Sequence, residues 1–422
     1  MEFLKNIALP QSAGDIELLH YMLVLMLFLF IPFISVILWG TVLSVYFKMK
    51  EKISLEENHR KISKDIIELV TVNKSIGIIL GIVPLFTAIL IFSQLFSASE
   101  TSNLEFLGIA FILLTIALYF IYDYRDSFEN LKTPKVISGI IGSAILFIAL
   151  WMFVTGITVA VFYEYWKPAG SIQDLFTSVV IIRFIYFLAA SIAITGGALL
   201  FGFFYLEGGK GRIDKEYGKF VKRIAIIITF TATLLLPLLI FANLIILPGT
   251  VLSGAVFAYI TIGLFSLFLA YHFLYMIFTR YSSKFTALLF FALLFMIFTV
   301  IISDQLIINN STKVQSAILA TKYDVILNEL KGEDTVLEIS GEEIYKVKCA
   351  ACHSFDNKIV GPPHNEVVPK YIGKEQQLIS FIRNPVKIDP NYPPMPNPGL
   401  EPNEAKAVAE YILKQVKQNI GK

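Results

Sequence analysis

The sequence predicts an all-α protein in two parts: a polytopic membrane helix bundle of eight transmembrane helices, and a soluble helical tail. Three observations carry this. Of 422 residues, 56% are hydrophobic and only 16% charged, where a soluble globular domain has about 25% charged. The apolar residues gather in long runs before residue 305 and thin out afterwards. The runs are far longer than the roughly eight residues of a buried strand, so they read as helix. This composition excludes a soluble enzyme and a disordered chain. The formal net charge of +2 carries no signal for nucleic acid. Two cysteines, both in one short motif, exclude a disulfide framework.

A hydrocarbon core about 30 Å thick needs about 20 apolar residues in a helix. Eight stretches qualify: 17–47, 75–97, 104–122, 136–164, 175–206, 224–248, 252–279 and 285–305. The first is too long for a cleavable signal, lacks a small-residue cleavage pattern and has its positive flank on the C-terminal side. The loops after the first, third, fifth and seventh spans hold eighteen Lys and Arg, against Lys5 and Lys167 on the opposite side. The basic loops are therefore expected in the cytoplasm, with the N-terminus and the tail outside. The expected division is a membrane domain over 1–305, a linker over 306–338 and a periplasmic domain over 339–422. Within the linker a weak period from Lys313 to Leu330 leaves room for a short helix. Fully extended, 33 residues reach at most about 110 Å, enough for a tethered domain to dock or to roam.

The tail carries Cys349-Ala-Ala-Cys352-His353. This C-x-x-C-H spacing lets both thiols form thioethers with one haem while the adjacent imidazole reaches the iron. A redox dithiol or half a zinc site is the rival reading, but no second C-x-x-C exists. A helical approach over Gly341–Lys348 precedes the motif. Gly361-Pro362-Pro363 follows, then Met395 in a proline-rich loop, then a helix from about Pro402 to Lys417. In this order, residues 339–418 resemble a class I monohaem cytochrome c. The resemblance implies one covalent haem c on Cys349 and Cys352. It also implies axial ligation by His353 and Met395, with Pro362 supporting His353. His364 competes for the sixth position. Tyr345 and Tyr411 are expected to pack between the first and last helices of the tail. A His and Met pair raises the potential relative to two histidines and leaves no open position on the iron, so the domain would carry electrons without chemistry of its own. Haem attachment of this type takes place outside the cytoplasmic membrane, which agrees with the loop charges.

The membrane body has fewer signals. His20 lies at the outer end of the first span, and His272 lies 20 residues into the seventh, about 30 Å deeper. The two cannot share one iron, so no bis-histidine haem b is expected within this chain. Arg183 sits inside the fifth span, where a charge costs about 3 kcal/mol or more, and needs a partner; Glu164, Asp174 and Glu105 are the candidates. Pro84, Pro237 and Gly196-Gly197 mark kinks around a cavity or close helix packing. Trp166-Lys-Pro-Ala-Gly170, Leu175-Phe176, Arg183-Phe-Ile-Tyr186 and Leu27-Phe-Leu-Phe-Ile-Pro32 resemble segments of the large subunit of cytochrome bd quinol oxidases. Where that family carries haem-ligating histidines, this chain has Leu27 and Tyr186. The resemblance implies a retained scaffold and quinone contact without the oxygen-reducing haem. Arg183, Tyr186 and His20 are the candidate membrane site.

The leading expectation is an electron-transfer subunit of a respiratory complex. It would link quinol or other membrane respiratory subunits to a soluble periplasmic carrier, in the cytoplasmic membrane. Whether the whole is an enzyme, as part of a quinol-linked oxidoreductase, stays open. The alternatives are an oxidase subunit with unrecognised haem ligands, and a transporter or sensor body with an appended cytochrome.

Overall fold

The computed structural model describes residues 9–54, 57–97, 99, 101–130, 135–162, 166, 170–206, 214–279, 282–331, 340–390 and 392–420. Lys5, Lys132, Glu164, Lys167, Lys210, Arg212 and Arg280 lie outside them. The described residues form helices and no strand. The chain divides into two compact units, Met1–Tyr323 and Asp324–Lys422.

Among the described residues of the first unit, eight helices are long and apolar enough to cross a membrane. They are helices because, without water to satisfy N–H and C=O groups, a spanning segment must bond its backbone internally. Helix α1 (Ala13–Ser54) starts on a reciprocal cap, in which Asp15 N donates to Ser12 Oγ and Ser12 N donates to Asp15 Oδ2, both at 3.1 Å. Helix α2 (Glu57–Thr71) follows where a basic loop was expected. It buries His59, Ile62, Ser63, Ile66, Ile67 and Val70 along one face, the spacing of an amphipathic helix. Then come α3 (Lys74–Leu95), α4 (Asn103–Asn130), α5 (Val136–Val161), α6 (Ser178–Leu206), α7 (Lys215–Ile246), α8 (Gly254–Thr279) and α9 (Ser283–Ser311). A π-helical turn at Ile78–Ile82 runs up to Pro84 in α3, while α7 continues unbroken through Pro237.

Helix α1 packs on α3, α5, α6 and α9, and α6 packs on α7 and α9. In α5, 67% of the most apolar stretch is buried, against 33% in α7 and α8. Those two helices turn Phe241, Ile245, Phe265 and Phe268 outward, the side that lipid covers. Hydroxyls join the inner helices: Ser35 Oγ lies 3.0 Å from Ser191 Oγ, and Thr195 Oγ1 donates to Ser35 O at 3.1 Å. The Gly196-Gly197 pair resolves as close packing. A Cβ on Gly196 would lie 2.1 Å from Thr229 Oγ1 and 3.1 Å from Thr229 N.

The stretch expected as a linker is helical over most of its described residues, and the weak period from Lys313 to Leu330 marks that helix. Helix α9 continues to Ser311, and Lys313–Lys331 form α10. Polar residues at these positions lower the hydropathy without breaking the helix. The 19 residues of α10 therefore rise about 28 Å rather than extending as free chain.

The second unit contains α11 (Gly341–Lys348), α12 (Glu375–Arg383) and α13 (Pro402–Ile420). Ser340 caps α11 by accepting from Glu343 N at 3.3 Å. Both α11 and α12 pack on α13, around a core that includes Tyr345, Leu378, Ile382, Val408 and Ile412. The crossing of α11 and α13 is close: a Cβ on Gly341 would lie 2.0 Å from Ala407 O. Tyr345 and Tyr411 meet there, ring centroids 5.5 Å apart.

Candidate functional site

The C-x-x-C-H motif begins on the last turn of α11, where Cys349 N donates to Tyr345 O at 2.9 Å. The backbone then closes on itself, with His353 N donating to Cys349 O at 2.9 Å and Gly361 N to Cys352 O at 2.8 Å. His353 is held from two sides. Its Nδ1 lies 3.1 Å from Pro362 O, and its own carbonyl accepts from Tyr345 Oη at 3.1 Å. A carbonyl can only accept, so Nδ1 carries the proton and Nε2 keeps a free lone pair. Gly361 is required here, because a Cβ would lie 2.2 Å from His353 Cε1.

A cavity of about 230 Å³ is lined by Cys349, His353, Pro362 and Met395, with Leu378 and Ile382 among its apolar walls. The chain returns past α12 to bring Met395 to the space that holds the motif. The donor set suits a haem: two thiols for the vinyl groups, an imidazole with its lone pair free, and a thioether on the same cavity. The rival readings fit less well. Burial pushes the Cys349 thiol up to about 11, with Cys352 adding to the shift and Lys348 opposing it. Redox-active and metal-binding cysteines are instead shifted down. Among the described residues, no group of three or more His, Cys, Asp and Glu is placed to hold a metal.

His364 stacks on His353, centroids 4.9 Å apart and planes within 13°, and it also meets Tyr345 and Phe355. Both its ring nitrogens are buried without a partner. Burial, and next the charge of His353, push its imidazole down to about 4, so it stands neutral. Burial likewise raises the Tyr345 hydroxyl to about 12, helped by Cys349 and Tyr411.

In the first unit the structure corrects the partner of Arg183. Its Nη2 pairs with Asp304 Oδ1 of α9 at 3.3 Å, while Nη1 is buried without a partner. Glu105 instead accepts from Gly170 N at 2.8 Å, Asp174 caps the turn Ile172–Leu175 with Ser171, and Glu164 lies outside the described residues. Arg183, Tyr186 and Asp304 line a cavity of about 80 Å³ between α1, α5, α6 and α9. Leu27 lines it too, and no histidine does. His20 belongs elsewhere. It is buried on α1 with Nδ1 against Gln305 Nε2, on a separate cavity of about 580 Å³. His272 is exposed on α8, and His59 is buried on α2 against Phe47, centroids 5.8 Å apart. Asp304 and Gln305 are the residues that sequence reasoning missed. Their signal was an acid and an amide at the end of an apolar run that continues helical beyond them.

The model of the cytochrome c family matches residues 339–415. Over 79 residues the chain is 42% identical to cytochrome c-551 of Pseudomonas denitrificans, covering 18% of this chain and 95% of that protein. It is 38% identical over 78 residues to cytochrome c-551 of Azotobacter vinelandii, again 95% of that protein. With cytochrome c-551 of Stutzerimonas stutzeri the identity is 44% over 78 residues, 74% of that protein.

Proposed function

This chain belongs to the cytochrome c family through residues 339–415, and from that premise we propose a membrane-anchored electron-transfer subunit with one haem c on its tail. Cys349 and Cys352 would hold the haem by thioethers, and His353 and Met395 would ligate its iron. When bound, the haem supplies a reversible one-electron iron couple. The chain's own residues do the rest. Pro362 fixes the His353 tautomer, Gly361 leaves room for the ring, and apolar walls keep water from the site. With His353 and Met395 both on the iron, the tail would carry electrons without binding a substrate there.

One observation carries the reading: Cys349, His353 and Met395 line a single cavity, with Nδ1 of His353 turned to the Pro362 carbonyl. His364 supports Met395 as the sixth ligand. Two rings stacked face to face do not point their nitrogens at one another across a metal. The eighteen cationic residues on alternate loops, against two, support a tail outside the cytoplasmic membrane. Quinol or another membrane subunit is then the donor, and a soluble carrier or an oxidase the acceptor.

The test is a haem-stained denaturing gel and a pyridine haemochrome spectrum of the purified full chain. One covalent c-type haem per chain and no haem b or d is the expected result. Cys349→Ser with Cys352→Ser should remove the stain entirely. A colourless wild-type chain sinks the reading, and additional haem b or d reassigns the membrane unit to oxygen chemistry.

A further inference from the structure

The cavity beside His20 lies at one end of the bundle. It is formed by the first three turns of α1, the last turns of α9, Tyr259 near the start of α8, and Ser316 and Ala320 of α10. Its volume of about 580 Å³ falls inside the range of small-molecule sites. His20 and Gln305 are each more than nine-tenths buried, at 7% and 5% exposure, and they bond to one another through His20 Nδ1 and the Gln305 amide. His20 Nε2 and Gln305 Oε1 are buried without a partner. A buried polar atom without a partner costs about 1–3 kcal/mol, so two on adjoining side chains call for a ligand.

The chemistry of that ligand follows from the pair. If the amide N–H donates to Nδ1, then Nε2 carries a proton and is a free donor, while Oε1 is a free acceptor. If the amide is turned over, its oxygen accepts from Nδ1–H, leaving Nε2 as acceptor and the amide N–H as donor. Either way the pair offers one donor and one acceptor, side by side. A ring hydroxyl, which both donates and accepts, satisfies both. A ring carbonyl satisfies the donor. The walls suit a flat apolar ring: Tyr259, Phe298, Ile302 and Leu306 line the cavity. Among the described residues no Lys or Arg lines it and Glu17 does, which disfavours a phosphate headgroup.

We infer that the His20 and Gln305 pair binds the head group of a membrane quinol or quinone. This rests on the electron-transfer reading above and names the site at which the donor is held. Arg183 and Tyr186 are not part of it. Their cavity is smaller, and the guanidinium there already has a carboxylate partner in Asp304, with one nitrogen, Nη1, unpaired.

The test uses the full chain in detergent with an azido-substituted short-chain benzoquinone, photo-crosslinked and mapped by peptide mass spectrometry. Label is expected on residues 13–24 or 298–309, displaced by excess decylubiquinone. His20→Phe and Gln305→Leu should each weaken binding about tenfold, the loss of one hydrogen bond, with the haem c spectrum unchanged. Mapping on the wild-type chain needs no variant, so a misfolded variant does not blunt the test. Label around Arg183 and Tyr186, or none that decylubiquinone displaces, overturns the site. Label at the inferred place, with haem c that no quinol reduces, upholds the site and instead removes quinol as the donor in the electron-transfer reading.

Discussion

In the tail, the groups proposed to hold the haem stand close in sequence: Cys349, Cys352 and His353 share one turn, and Met395 arrives from further along. In the membrane unit the polar pairs join residues 121 and 285 positions apart, Arg183 with Asp304 and His20 with Gln305. The tail assembles its site by closing a loop on itself, and the membrane unit does so by packing helices that lie far apart in sequence. Local assembly leaves a motif. Assembly by packing leaves only isolated polar residues, each of which looks like an anomaly until its partner is found.

The largest expected effect tests the long-range pairing. Arg183 is 6% exposed and its partner carboxylate 27%. Breaking a buried ion pair from one side leaves an uncompensated charge, so Arg183→Leu should lower unfolding stability in detergent by about 3 kcal/mol. Asp304→Leu should cost at least as much, because it strands the guanidinium, which is the more buried partner and cannot give up its proton. The double variant should recover most of the loss. Equal stability of the single variants and the wild type would mean that α6 and α9 are held by apolar packing alone.

A smaller effect tests a long-range contact within the tail. Gly341 lets α11 cross α13 at the Ala407 carbonyl. The obstacle is backbone, which cannot turn aside, so Gly341→Ala should cost about 2 kcal/mol of tail stability. The change should appear as a lower melting midpoint in the haem absorbance while the far-ultraviolet signal of the membrane helices persists. Simultaneous loss of both signals would show that the two units do not unfold separately.

The same contrast governs how much was legible in the sequence. Eight spans could be read because an apolar run of about 20 residues is a property of the chain itself. Their ends could not, because hydropathy falls where polar side chains turn inward to partners. Helix α4 runs on past 122 through the buried Tyr124, and α9 past 305 through Asn310, whose Nδ2 donates to Val251 O. The partner of Arg183 was sought among acids near the ends of neighbouring spans, whereas it lay within the last one. Helix α2 was legible in principle. His59, Ile62, Ser63, Ile66, Ile67 and Val70 keep helical spacing, but the surrounding Lys and Arg read as a loop. In the tail the sequence order of motif, Gly-Pro turn and methionine anticipated the residues that line the cavity. The stacking of His364 on His353 had no counterpart in any spacing rule.

The smallest expected effect isolates the local side of the comparison. Tyr345 lies four residues before Cys349, and its hydroxyl donates to the His353 carbonyl at 3.1 Å while its ring packs on Phe355, His364 and Tyr411. Tyr345→Phe keeps the ring and removes the bond, so the loss should be about 1 kcal/mol. Because Pro362 still holds the imidazole through Nδ1, the haem should stay attached and its potential should hardly move. A large shift in potential with little change in stability would mean that Tyr345 orients His353 and Pro362 does not. Local geometry around the motif would then be set by the helix that precedes it, and the site would depend on α11 packing as much as the membrane pairs depend on theirs.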